Sequence, residues 1–197
     1  AINNIADETS GLQLIDDQNI LPNPFYSSLI QQDQLEVKYQ ELNPKENHTR
    51  LEKMMLVSLA DTMAKSNIAL TDRVGLIIST TKGNIDVLDN GIDFPEKRAY
   101  LGALGNKIRS FFDFKNKAIV LSNACVSGVL AIAVAKRFIN QDKFDHVFIV
   151  GGDLVDEFIL SGFNAFQALS SEPCRPYCKT RSGINIGEVA TSVLVTK

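Results

Sequence analysis

Hydrophobic and polar positions divide this chain into alternating strands and helices. Arg73-Val74-Gly75-Leu76-Ile77-Ile78-Ser79-Thr80, Lys117-Ala118-Ile119-Val120-Leu121 and His146-Val147-Phe148-Ile149-Val150 are short apolar runs with β-branched residues. That pattern predicts strands covered on both faces. Val189 to Val195 predicts a further strand, and Gly11 to Ile15 a short one. Between them apolar residues recur at helical spacing. Thr49 and Glu52 form a capping-box pattern ahead of Leu51, Met54, Met55, Leu59 and Met63, and Asn67 ends that helix. Tyr100 to Phe112 puts Leu101, Leu104, Ile108 and Phe111 on one helical face. From Val126 to Ala135 the residues are small or aliphatic, which predicts a helix buried along most of its length. Leu154 to Leu169 reads as helical or irregular. Phe25 to Val37 reads as loop with some helix, and Ser170 to Gly183 as a polar loop. Strands alternating with helices predict a layered α/β fold with a mainly parallel sheet.

Composition narrows the function classes. With 45% hydrophobic and 22% charged residues, the chain is of ordinary globular type. The net charge of −3 and scattered basic residues imply no nucleic-acid partner and no membrane-surface patch. No apolar run approaches a membrane span, and the start lacks a basic-then-apolar signal peptide. Three cysteines do not make a disulfide framework and point to a reducing, cytoplasmic setting.

The chemical candidates are few. Gly83 stands alone in the turn Thr81 to Asn84, without a phosphate-binding glycine pattern, so no nucleotide cofactor is expected. Cys174 and Cys178 are spaced C-x3-C, but neither His48 nor His146 has a partner at ligand spacing, so no metal is expected. Cys125 lies where the strand Lys117–Leu121 hands over to a helix, among the small residues Ala124, Ser127 and Gly128. A helix N-terminus favours negative charge, and small neighbours let another molecule approach the sulfur. The composition suits a nucleophile on a tight strand-to-helix turn. A buried structural thiol remains the competing reading.

Several landmarks then fall in order. They are Arg73 to Thr80, Ala124-Cys125-Val126-Ser127-Gly128, Val150-Gly151-Gly152-Asp153, Phe163 to Ser170, and Cys174-Arg175-Pro176-Tyr177 followed by Arg181, Gly183 and Gly187-Glu188. In this order they resemble the β-ketoacyl-acyl-carrier-protein synthases, condensing enzymes of fatty-acid and polyketide synthesis, over roughly residues 50 to 197. Cys178, Ser182 and Val189 depart from the family pattern, and its opening strand is not visible before Gly11; either Ala1 to Ile5 does its job or the family's start is missing. The resemblance implies a thiolase-like half across residues 1–197, a layered α/β domain whose mainly parallel, mixed sheet has five strands flanked by helices.

The resemblance also implies chemistry. Cys125 would be the catalytic thiol that takes an acyl group from acyl carrier protein as a thioester, before decarboxylative condensation with the malonyl carrier protein. The Cys125 N–H would be one oxyanion donor. The family's catalytic histidines lie in a second half, and neither His48 nor His146 lies in such a segment. This chain is therefore expected to be the N-terminal domain of an acyltransferase, inactive in condensation by itself. Partners implied are acyl carrier protein and a second ketosynthase, in a homodimer or heterodimer paired through the strand Ala118 to Asn123. The alternative is a non-catalytic, chain-length-factor-like partner subunit, which the missing histidine segments favour and the retained Cys125 disfavours. A third reading, a thiolase-type acyltransferase using coenzyme A, is disfavoured by the Cys174–Tyr177 and Gly187-Glu188 segments.

Overall fold

The computed structural model describes residues 6, 7, 9–18, 20–89 and 91–197. In chain order the elements are β1 (Gln13–Ile15), β2 (Phe25–Ser28), α1 (Gln32–Gln40), α2 (Arg50–Ser66), β3 (Val74–Ser79), α3 (Leu101–Phe111), β4 (Ile119–Leu121), α4 (Ser127–Asn140), β5 (His146–Asp153), α5 (Glu157–Ala165), β6 (Ile186–Gly187) and β7 (Val189–Thr196). Two 3-10 turns, Ile85–Leu88 and Glu96–Ala99, interrupt the loop between β3 and α3. The chain divides into two compact units, Ala1–Ile30 with Leu154–Glu188, and Gln31–Asp153 with Val189–Lys197.

In the smaller unit β2 pairs antiparallel with β1 and parallel with β6. Phe25, Val155 and Leu160 form its core, with Ile15, Leu21, Leu169 and Ile186 packed against them. Within Phe25–Val37, expected as loop with some helix, the helix is α1 from Gln32, while Phe25–Ser28 is the strand β2. Its partners lie at Gln13–Ile15 and Ile186–Gly187, so no local pattern announces it. The short strand expected at Gly11–Ile15 is β1. Ala1 to Ile5, the candidate for the family's opening strand, lies outside the described residues.

The larger unit carries a sheet in the order β4-β3-β5-β7. β3 runs parallel to β4 and β5, and β7 runs antiparallel to β5. The sheet is thus mixed and mainly parallel, with four described strands where five were expected. Because side chains alternate across a strand, Ile77, Val147 and Ile149 share one face. Ala131, Ala135 and Ile139 of α4 pack there. Leu76, Ile78, Phe148 and Val150 fall on the other face, and they are almost fully buried, as are Leu51, Met55 and Leu59 of α2. Phe114 meets Phe148 edge-on with ring centroids 5.9 Å apart. Gly105 lets α3 approach β4, since a Cβ there would lie 2.7 Å from Val120 Cγ2.

Two expectations of burial are corrected. Lys117–Leu121 was expected to be covered on both faces, but β4 is an edge strand and all of its residues are half-buried. It has β3 on one side and no described strand on the other. Helix α4 was expected to be buried along most of its length, but Val129 is 72% exposed and Ile132 49%. Ala131, Ala135 and Ile139 face the sheet, whereas Val129 and Ile132 face away from it. The third strand also runs past its expected end at Val150 through Asp153, because pairing with β7 continues to the couple Asp153↔Val189.

Candidate functional site

The strands β3, β4 and β5 run parallel, so their C-terminal ends lie together. Ligands collect at such ends in open α/β sheets. The chain leaves β4 at Leu121 and enters α4 at Ser127, and Cys125 lies in that turn with an exposed side chain. The competing reading expected a thiol buried in the core, and within this chain Cys125 is not buried.

The turn is built from short-range bonds. Ala124 has φ 46°, in the left-handed region that costs a residue with a Cβ about 1 kcal/mol or more. Ser127 holds this conformation. Its Oγ accepts from Asn123 N at 2.8 Å and donates to Ala124 O at 2.7 Å. Val126 N donates to Asn123 O and Ser127 N to Ala124 O, each at 3.2 Å. The cap position of α4 is Val126, which supplies no side-chain acceptor. Cys125 thus sits on a tight turn at the N-terminus of a fourteen-residue helix, where donor groups and the helix dipole favour negative charge.

A second set of groups stands on the neighbouring strand ends. Asp153 Oδ1 accepts from Thr80 Oγ1 at 3.0 Å, Thr81 N at 2.7 Å and Thr81 Oγ1 at 2.6 Å. Thr80 Oγ1 accepts from Gly83 N at 3.0 Å, and Thr80 N donates to Leu121 O at 3.2 Å. Ser122 Oγ donates to Thr81 O at 2.8 Å. Thr80 and Asp153 close two of the landmarks in the sequence, but the sequence suggested no role for them or for Thr81 and Ser122. The available signal was a carboxylate closing a glycine pair at the end of a buried strand, opposite hydroxyl residues at the end of another.

The histidines lie elsewhere. His146 opens β5 at the end opposite Asp153, roughly 23 Å away at the usual rise per strand residue. His48 is 2% exposed. Its Nδ1 lies 2.6 Å from the Tyr39 hydroxyl, which donates to Glu46 O at 3.0 Å. Burial pushes the Tyr39 phenol up to about 12, so its proton stays in place. Burial also holds His48 below the ordinary histidine value, against the opposing pull of Glu52 and Glu46. Cys174 and Cys178 belong to the smaller unit and are unpaired thiols. Cys178 Sγ lies 3.3 Å from Thr180 Oγ1, and that hydrogen bond lowers its pKa. Among the described residues no three His, Cys, Asp or Glu side chains gather in a way that could hold a metal ion. No helix among them is long and apolar enough to cross a membrane.

Comparison with known proteins gives the same outline. Residues 4–197 match the family model described as Beta-ketoacyl synthase, N-terminal domain. No curated protein matches this chain by sequence. Among solved structures, a ketosynthase (ApeO) in complex with its chain length factor (ApeC) from Xenorhabdus doucetiae is 22% identical, with a TM-score of 0.81. The match covers 100% of this chain and 53% of that one. The ketosynthase from module 6 of the bacillaene synthase from Bacillus subtilis 168 is 14% identical with a TM-score of 0.78, covering 100% of this chain and 36% of that one. The ishigamide ketosynthase/chain length factor is 14% identical with a TM-score of 0.73, over 99% of this chain and 56% of that one. The likeness is one of fold, the ketosynthase fold of the thiolase-like class. The chain spans between about a third and just over half of each of these proteins.

Proposed function

Because this chain belongs to the β-ketoacyl synthase family, through that family's N-terminal domain, we propose that Cys125 is the acyl-accepting thiol of a 3-oxoacyl-[acyl-carrier-protein] synthase. The observation that carries this reading is the placement of Cys125. The thiol is exposed beyond the C-terminal end of a parallel strand, on a turn held by Ser127, at a helix N-terminus without a side-chain cap.

The family supplies the chemistry that this placement would serve. The Cys125 thiolate attacks the carbonyl of an acyl thioester on acyl carrier protein. Negative charge gathers on the carbonyl oxygen, and the Cys125 N–H is assigned as one donor to it. The carrier thiolate leaves, takes up a proton, and the acyl group stays on sulfur as a new thioester. Malonyl carrier protein then loses carbon dioxide, and the carbanion so formed attacks the acyl carbonyl. The Cys125–acyl bond breaks, the thiolate returns, and a 3-oxoacyl carrier protein departs. The two stages replace one difficult step by two easier ones. His48 is buried against Tyr39, and His146 stands at the wrong end of β5. Proton handling in the second stage is therefore assigned to histidines of a second half, as in the family at large. The pathway served is fatty-acid or polyketide-type synthesis, in a cytoplasmic setting that suits three unpaired thiols.

The edge strand β4 supplies the partner surface. An uncovered edge offers a row of backbone donors and acceptors, and β4 stands at the edge of its sheet. We assign Ala118 to Asn123 to pairing with a second ketosynthase-type subunit, in a homodimer or heterodimer. The solved relatives that include chain length factors favour such a pairing. They also keep a second reading in play, that this chain is the chain-length-factor-like partner.

Supplying the full-length protein with acyl and malonyl carrier proteins and analysing the products separates these readings. A 3-oxoacyl product is expected, and Cys125→Ser should abolish it. Product that persists in Cys125→Ser overturns the assignment of the thiol. Activity that appears only after a second ketosynthase is added, and that survives Cys125→Ser here, assigns the partner-subunit role.

A further inference from the structure

We propose that Asp153 is the positioning residue for the Cys125 turn, acting through Thr81 and Ser122; this rests on the reading of Cys125 as the acyl-accepting thiol. The hydrogen bonds form one continuous path. A single oxygen of Asp153 gathers Thr80 Oγ1, Thr81 N and Thr81 Oγ1 within 3.0 Å. The carbonyl of the same Thr81 accepts from Ser122 Oγ at 2.8 Å. The residue after Ser122 is Asn123, whose N–H is fixed by Ser127 Oγ at 2.8 Å. Asn123, Ala124 and Cys125 are then consecutive. Asp153 therefore ties the end of β5 to the end of β3, and Ser122 ties that point to the chain leaving β4.

Two features argue that position is what the carboxylate supplies. First, Ala124 is held at φ 46°, a conformation that persists only where the surroundings enforce it. Ser127 enforces it from the helix side, and Ser122 anchors the strand side. Second, bonds to an ionised acceptor are roughly twice as strong as neutral ones, and three of them converge on one atom. Thr80 is 1% exposed and its hydroxyl also fixes Gly83 N, so the Thr80–Gly83 turn moves as one piece with Asp153. A shift of that piece reaches Ser122 directly. The effect falls on reactions that need the Cys125 N–H and sulfur in a set relation to a carbonyl. It spares a reaction that needs only access to the sulfur.

The test compares two reactions at Cys125 in the full-length protein, each read by peptide mass spectrometry. Acyl transfer from the hexanoyl thioester of N-acetylcysteamine needs the carbonyl oxygen held. Alkylation by iodoacetamide does not. Asp153→Ala should slow acylation roughly tenfold, within the ~100-fold that a 1 Å misplacement can cost, and leave alkylation within about twofold. Asp153→Asn keeps an acceptor in place and should recover most of the rate. Ser122→Ala should slow acylation less, and the Asp153→Ala/Ser122→Ala double variant no further than Asp153→Ala alone, because residues on one path do not add. Acylation at the wild-type rate in Asp153→Ala overturns the proposal. So do equal losses in both reactions, and so does a double variant whose losses multiply. If Asp153→Ala does not fold, Ser122→Ala carries the comparison: acylation slowed with alkylation within about twofold supports the path, and acylation at the wild-type rate overturns it. A wild-type protein that is alkylated but never acylated at Cys125 defeats the underlying reading and the proposal with it.

Discussion

The larger unit contains two helix N-termini that are built in opposite ways. That of α2 is closed. Thr49 N donates to Glu52 Oε2 at 3.0 Å and Glu52 N donates to Thr49 Oγ1 at 3.2 Å, which completes the capping box. Asn84 accepts from Thr49 Oγ1 at 2.7 Å and donates to Glu52 Oε1 at 3.0 Å, and Arg98 pairs with the same carboxylate. Glu52 is fully buried. The N-terminus of α4 is open: Val126 supplies no cap, Ser127 spends its hydroxyl on the turn, and Cys125 is exposed. The closed end satisfies every side chain named and rigidifies the loop between β3 and α3. The open end forgoes a cap worth about 1 kcal/mol and leaves the Cys125 side chain exposed. Under the function proposed for Cys125, the difference separates stability from chemistry within one sheet-and-helix layer.

Substitutions at the closed end should cost stability. Glu52→Gln leaves the buried Arg98 guanidinium without its counter-charge, and losing one member of a buried pair costs about 3–5 kcal/mol. Denaturant unfolding should show that loss. At the open end, Ser127→Ala removes both bonds that hold Ala124 and should cost about 1–3 kcal/mol, with a matching fall in the acylation rate of Cys125. Unchanged acylation in Ser127→Ala would break the contrast between the two termini. The α2 end should also respond to pH. His48 is held below its unfolded value by burial, so the unfolded chain binds the proton more readily. Stability is then full above about pH 6.5 and declines as pH falls through that value. Thermal melts at about pH 7 and pH 5 should diverge in the wild type and less so in His48→Gln. The smallest effect is expected from Ala124→Gly, which relieves the left-handed backbone and changes stability by no more than about 1 kcal/mol in either direction.

The closed terminus was legible in the sequence because a capping box is local: Thr49 and Glu52 stand three residues apart and announce each other. The partners that bury Glu52 were not legible, since Asn84 and Arg98 lie far along the chain. The strands β3, β5 and β7 were readable from apolar runs. The four-residue β2 was not, because its pairing is long-range on both sides. Reading α4 and β4 as buried mistook side chains suited to burial for side chains buried by this chain. Val129, Ile132 and the edge position of β4 show the difference. Cys125 was visible as a candidate through the small residues around it. Asp153 was invisible as the centre of a hydrogen-bond path, because that path exists only where three strand ends meet.

The most direct test of the account is the site of acyl transfer. The full-length protein is incubated with an acyl carrier protein thioester, digested, and its cysteine peptides are weighed. The account predicts an acyl group on Cys125, absent in Cys125→Ser, with Cys174 and Cys178 unmodified. An acyl group on Cys174 or Cys178 in place of Cys125, or none on any cysteine, would contradict it.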